Sequence, residues 1–170
     1  MSLLSFLFSP TGRVRRRDYW FYGLAVTAVS AIAQFAGHQV ITGHPAADFV
    51  TDLGRLSGPA WPPLKIYIWA LTLVFLWPGI CISIKRWHDR NRPAWIPIVI
   101  YVANFAWSLS APYVGPTTAH PNQWVYYGGL IILLAMVIWQ LVECGCLDGT
   151  KGPNTYGPSP KGIASQADAF

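Results

Sequence analysis

The chain reads as an all-α integral membrane protein with four transmembrane helices and both termini in the cytoplasm. Three observations predict this. Only 11% of the 170 residues are charged, against 53% apolar and 15% aromatic, whereas a soluble domain carries about 25% Asp, Glu, Lys and Arg. Four apolar runs with few charges are each long enough to cross a hydrocarbon core of roughly 30 Å, which takes about 20 helical residues. Ten of the 12 Lys and Arg then fall on one side of those four crossings, as the retention of positive charge in the cytoplasm requires. The mean hydropathy of +0.35 agrees. Disordered tails, nucleic-acid modules and disulfide scaffolds are excluded by the scarcity of charge and cysteine.

The elements follow in order. Leu3 to Phe8 is too short to cross and is expected to lie at the inner interface as a brief amphipathic helix ended by Ser9-Pro10. The first span runs from about Tyr19 to Ile41. A secretory signal peptide is the rival reading, because Arg13 to Arg17 precede the run and Ala31-Ile32-Ala33 has the small residues of a cleavage site. The run continues past Ala33, which favours a retained span. Gly23, Thr27, Ala31, Gln34 and His38 recur on this helix at three- and four-residue steps. That stripe is expected to pack against another helix, with a substrate channel along it as the alternative.

The second span covers Leu64 to Ile84 and contains Pro78, the third covers Ala94 to Val114 with Pro97 near its start, and the fourth covers Trp124 to Cys144. Both prolines are expected to kink their helices. The loops are Thr42 to Pro63, the basic Lys85 to Pro93, and Gly115 to Gln123. From Gly145 the tail is too polar to span. Residues 1–161 form one domain in this reading, and residues 162–170 are expected to be disordered. Aromatic belts place Trp20, Trp87 and Trp95 at the inner boundary, with Trp61, Tyr67, Tyr113, Trp124, Tyr126 and Tyr127 at the outer one. Cys81, Cys144 and Cys146 end spans on the reducing side, so no disulfide is expected. Cys144-Gly145-Cys146 lacks the two-residue spacer of zinc and redox motifs.

Three segments stand out, far apart in the chain yet all on the inner side: Gly12 to Trp20, Lys85 to Trp95, and Gly149 to Pro160. Their patterns are Gly-Arg-x-x-Arg-x-x-Tyr-Trp, Arg-x-His-Asp followed closely by Trp, and Gly-Thr-x-Gly-x-Asn-x-Tyr-Gly-Pro-x-Pro. Together, in this order and over about Phe8 to Lys161, they resemble the bacterial inner-membrane family called domain of unknown function 805. The resemblance implies a small multi-spanning inner-membrane protein and supplies no catalytic residues. Trp87 stands where that family often has Leu, and Pro93-Ala94 replaces a Ser-Gly or Ser-Ala pair before Trp95.

The residues themselves suggest binding. Arg13, Arg16 and Arg17, with Arg86, Arg90 and Arg92, offer guanidinium forks suited to phosphate. The competing reading is that they set topology and touch anionic headgroups at about 1 kcal/mol each. Seven of the ten inner cations are Arg, although Lys would set orientation equally well. His88 and Asp89, adjacent on a helix, cannot face each other and should find separate partners: Asp89 an arginine of the first segment, His88 the tail. Glu143 is expected to pair with an Arg of the inner face. In the tail, Gly149, Gly152 and Gly157 permit positive backbone angles, prolines fix others, and Asn154 can bond its own backbone. The tail should fold back on the basic loop, with Tyr156 stacked on an Arg or an interfacial Trp.

The expected function is therefore binding of an anionic phospholipid headgroup or a membrane protein partner, including a second copy of the chain, through Arg13, Arg16, Arg17, Arg86, His88, Asp89, Arg90, Asn154 and Tyr156. Nucleic acid is not an expected partner. No cofactor or metal is expected, since no nucleotide loop, metal triad or nucleophile elbow is present. The alternatives are an enzyme acting on a lipid-linked phosphate, with His88 or Asp89 moving a proton, and a small transporter or channel subunit.

Overall fold

The computed structural model describes residues 3–49, 62–114 and 123–162. The expected tail disorder from 163 on, the loop at 115–122, Arg55 and Trp61 lie outside the described residues, as does the side chain of Tyr113. The elements are α1 (Leu3–Phe8), α2 (Arg16–Thr42), a 3-10 turn (Ala46–Asp48), α3 (Pro62–Asp89), α4 (Trp95–Val114) and α5 (Gln123–Gln140), whose end winds into a π turn (Leu141–Cys146). Three of these helices are long and apolar enough to cross a membrane, and α4 is a shorter apolar helix over Trp95–Ser110.

The helices pack as a chain of neighbours, α2 on α3, α3 on α4 and α4 on α5, and the π turn returns to touch α2 and α3. Helices in lipid gain no hydrophobic transfer energy from each other, so close approach and hydrogen bonds decide these contacts. The α2–α3 contact is built on Gly37, where an added Cβ would stand 2.0 Å from the Tyr67 ring, and on the bond from Tyr67 OH to the Ala33 carbonyl, 2.7 Å. This corrects the expected packing face. Gly23, Thr27, Ala31 and Gln34 line a cleft instead, and only His38 of that stripe is buried. Helical periodicity shows which residues share a face but not which face a neighbour meets.

Two further expectations are corrected. The basic loop is shorter than Lys85 to Pro93, because α3 stays helical through Asp89. It ends on Asn91 at φ 56°, with the Arg92 N–H reaching the Trp87 carbonyl at 2.9 Å, the pattern of a left-handed helix stop. Pro97 sits in the first turn of α4, where its missing N–H would have had no helical partner, so it starts the helix without a kink.

Helix α1 lies against α3. Trp77 Nε1 and Cys81 Sγ donate to the Phe8 carbonyl at 3.1 and 3.4 Å, and Lys85 Nζ donates to the Phe6 carbonyl. These donors are spaced by four along α3, so one stripe of that helix satisfies the bare carbonyl end of α1. The innermost apolar cluster is Trp87, Ile96, Ile100 and Cys144, with Tyr19 and Met136 against it. Trp87 is thus a core residue, edge-on to Trp139 at 5.1 Å, and not a belt residue. Trp20 and Trp95 keep exposed rings.

Candidate functional site

Asp89 is the centre of the site, at the C-terminal end of α3. Its two carboxylate oxygens divide between two buried guanidinium groups. Oδ1 accepts from Arg13 Nε at 3.0 Å and Oδ2 from Arg86 Nη1, and all three side chains are 4% exposed or less. The Arg86 pair comes from adjacent turns of one helix, and Arg13 arrives from the extended strand of chain before α2. Two cations against one carboxylate leave a buried positive charge, which backbone carbonyls must compensate.

They do so in full for Arg13. Its Nη1 donates to the carbonyls of Gly152 and Gly157 at 2.8 and 3.1 Å. Its Nη2 donates to the carbonyl and hydroxyl oxygens of Thr150 at 2.8 and 3.2 Å. With Nε on Asp89, all five N–H groups of a guanidinium are spent. Arg86 donates Nε to the Cys144 carbonyl at 2.7 Å and Nη2 to the Leu147 carbonyl.

The same economy runs along the π turn. The last carbonyls of a helix lack partners within it and carry the negative end of its dipole. Here Cys144 and Leu147 are taken by Arg86, Gly145 by Trp20 Nε1 at 3.1 Å, Cys146 by Arg16 Nη1 at 2.7 Å, and Asp148 by Arg90 Nη1. Arg90 Nε also pairs with Glu143 at 3.1 Å, so the expected partner of Glu143 comes from the basic segment. Arginine suits this work because a planar fork serves two acceptors at fixed angles, which an ammonium cannot.

The tail closes over the end of α3. Thr150 N–H bonds the Asp89 carbonyl at 2.8 Å. Asn154 Nδ2 reaches the His88 carbonyl and Thr150 Oγ1, both at 2.9 Å, and Asn154 Oδ1 accepts from the Tyr156 N–H, 2.9 Å. Asn154 and Gly157 bond each other's backbone in both directions at 3.0 Å, a tight turn made possible by the positive φ of 126° at Gly157. Gly149 is needed for another reason than the backbone freedom expected. A Cβ there would stand 1.8 Å from Asp89 Oδ2. The Tyr156 ring stacks on His88, centroids 3.8 Å apart and 6° from parallel, and not on an Arg or Trp as expected. His88 Nδ1 faces the Gly12 carbonyl at 3.3 Å.

Thus Arg13, Arg86, His88, Asp89, Arg90, Asn154 and Tyr156 come together. Arg16 stands at the edge, 47% exposed and 3.8 Å from Asp148. Arg17 stands apart, 85% exposed and, among the described residues, paired with its neighbour Asp18 at 3.3 Å. Arg92, Lys151 and Lys161 are also exposed at this end. Thr150, Gly152 and the carbonyls of 144–148 were missed as site groups, since backbone acceptors carry no residue identity. The one available hint was the Thr-x-Gly-x-Asn spacing. Among the described residues no group of three or more His, Cys, Asp or Glu is placed to hold a metal ion.

A family model described as Protein of unknown function (DUF805) matches residues 7–158. Uncharacterized protein YiiR of Escherichia coli strain K12 is 28% identical over 99% of this chain and 97% of its own length. Inner membrane protein YhaI of the same strain is 27% identical over 95% of this chain and 93% of its own. No solved structure matches. The apolar helices and these relatives make the chain a bacterial inner-membrane protein. With nine-tenths of its length inside the matched model, it belongs to the DUF805 family.

Proposed function

We propose that this protein is a single four-span membrane domain, termini in the cytoplasm, whose inner face binds anionic phospholipid headgroups. In this reading the work is divided. Arg13, Arg86, Asp89, Arg90, His88, Asn154 and Tyr156 hold the face in shape, and Arg16 and Arg17, with Arg92, Lys151 and Lys161, meet the headgroups. One observation carries it: buried Arg13 has spent all five donors, and buried Arg86 three of its five, on the chain itself, while other cations of the same segments are exposed. A headgroup meets charges worth about 1 kcal/mol each near the membrane surface.

The test is native mass spectrometry of the full chain, extracted in mild detergent from vesicles of phosphatidylcholine and phosphatidylglycerol in equal parts. Phosphatidylglycerol should be retained in excess, and the excess should vanish in the Arg16→Gln, Arg17→Gln, Arg92→Gln variant. Equal retention of both lipids by the unaltered chain would sink the reading, and a second copy in place of lipid would point to self-association. Orientation has a built-in probe, since Cys146 is exposed while Cys81 and Cys144 are buried. A membrane-impermeant maleimide should label Cys146 in inverted membrane vesicles and not in intact spheroplasts.

A further inference from the structure

A cavity of about 560 Å³ runs along α2 from Tyr19 and Trp20 to Phe35, walled on the far side by Phe75, Ile82 and Tyr101. The sixteen helical steps from Tyr19 to Phe35 make it about 24 Å long at 1.5 Å each, most of a hydrocarbon core of roughly 30 Å. A second cavity of about 290 Å³ shares Tyr19, Trp20 and Tyr101 and continues to Gln140 on α5. The cleft exists because α2 packs on α3 and the π turn, while α4 and α5 pack on each other.

The chemistry of its walls selects an occupant. Polar groups along it are bonded to one another: Thr27 Oγ1 to the Gly23 carbonyl at 2.9 Å, Gln34 Nε2 to Ser30 Oγ at 3.0 Å, and Ser83 Oγ to Tyr101 OH at 3.1 Å. These groups already have partners, and much of the remaining wall is apolar, from Leu24, Val26, Phe35, Phe75 and Ile82, a surface that offers a polar solute little in exchange for its water and that a hydrocarbon chain fills with the pairs intact. At the motif end, Arg16 lies on the same helical face as Trp20, Gly23 and Thr27, by steps of three and four. Its Nη1 is held by the Cys146 carbonyl, and nearly half of its side chain stays open.

We propose that this cleft seats one acyl chain of an anionic phospholipid whose phosphate rests on Arg16 at the cleft mouth. The proposal rests on the headgroup reading above and adds a tail site to it. The headgroup charge supplies preference, and the cleft supplies shape, because a chain leaving the bilayer for the cleft exchanges one hydrocarbon surrounding for another.

The experiment uses the full chain in the same mixed vesicles, read by native mass spectrometry. A Cβ on Gly23 meets nothing within 4 Å, so Gly23→Phe places a ring in open cleft space. Thr27→Phe, at an exposed position lower in the same cleft, carries the test if the first variant fails to fold. Each should lower retained phosphatidylglycerol roughly threefold, about the effect of losing one average side-chain interaction inside a membrane. Arg16→Gln should lower the preference over phosphatidylcholine roughly fivefold, the share of one cation near the membrane surface. Wild-type retention in a folded Phe variant would overturn the tail site and leave the headgroup reading standing. A preference unchanged by Arg16→Gln would overturn the joint site. Absence of any preference in the unaltered chain would overturn the headgroup reading itself.

Discussion

The start and the middle of α2 are held in opposite ways. Near Arg16 the chain is bound by a saturated polar knot in which Arg13 alone makes five hydrogen bonds. Along Gly23 to Gln34 the same helix borders an open cleft. Helices in lipid are not driven together by transfer of apolar surface, so a small bundle gains most by concentrating hydrogen bonds where backbone carbonyls are bare, at helix ends. The difference teaches that the segments most recognisable in the sequence serve first to hold the molecule together, and that the cleft begins at the end of one of them, Tyr19 and Trp20, and extends along residues that carry no motif.

The largest effect should come from the hub. Asp89→Ala strips the single carboxylate from two buried arginines, and breaking a buried pair in this way costs about 3–5 kcal/mol. The purified chain should lose most of its folded yield, or melt far lower in detergent, than the parent protein. Arg13→Lys keeps the charge but replaces five planar donors by three on a point charge. It should destabilise by about 2 kcal/mol, the range of one charge-assisted bond lost, and the same melting assay reads it. Near-normal stability of Arg13→Lys would mean that charge alone, and not the fork, holds the tail.

Much of this knot was legible. The pairing of Asp89 with an arginine of the first segment, the pairing of Glu143 with an inner-face arginine, and the folding of the tail onto the basic segment all followed from side-chain chemistry and from topology. What stayed hidden belongs to the backbone. The carbonyls of Cys144 to Asp148 bind four side chains, yet nothing in Leu141–Cys146 announces a π turn. The reach of α3 past Lys85 was masked because its last turn is written in charged residues, which look like a loop until Arg86 and Asp89 are seen as an i,i+3 pair. The stripe from Gly23 to Gln34 had the spacing of a packing face, but the neighbour turned out to meet Gly37. Periodicity fixes an angle on one helix and is silent about the position of the next.

The smallest effects sharpen the comparison best, because one substitution can be made in both regions. At Gly149 an added methyl meets the Asp89 carboxylate, so Gly149→Ala must displace the hub or the tail and should cost about 1–3 kcal/mol, as overpacking does. At Gly23 the methyl meets open space within a helix. There Gly23→Ala removes backbone freedom from the unfolded chain and should stabilise by up to about 1 kcal/mol. Equilibrium unfolding of the two variants in the same detergent gives two numbers of opposite sign if the knot is rigid and the cleft is open. If Gly23→Ala also destabilises, α2 closes on a neighbour along that face, and the cleft, with the lipid tail assigned to it, is lost.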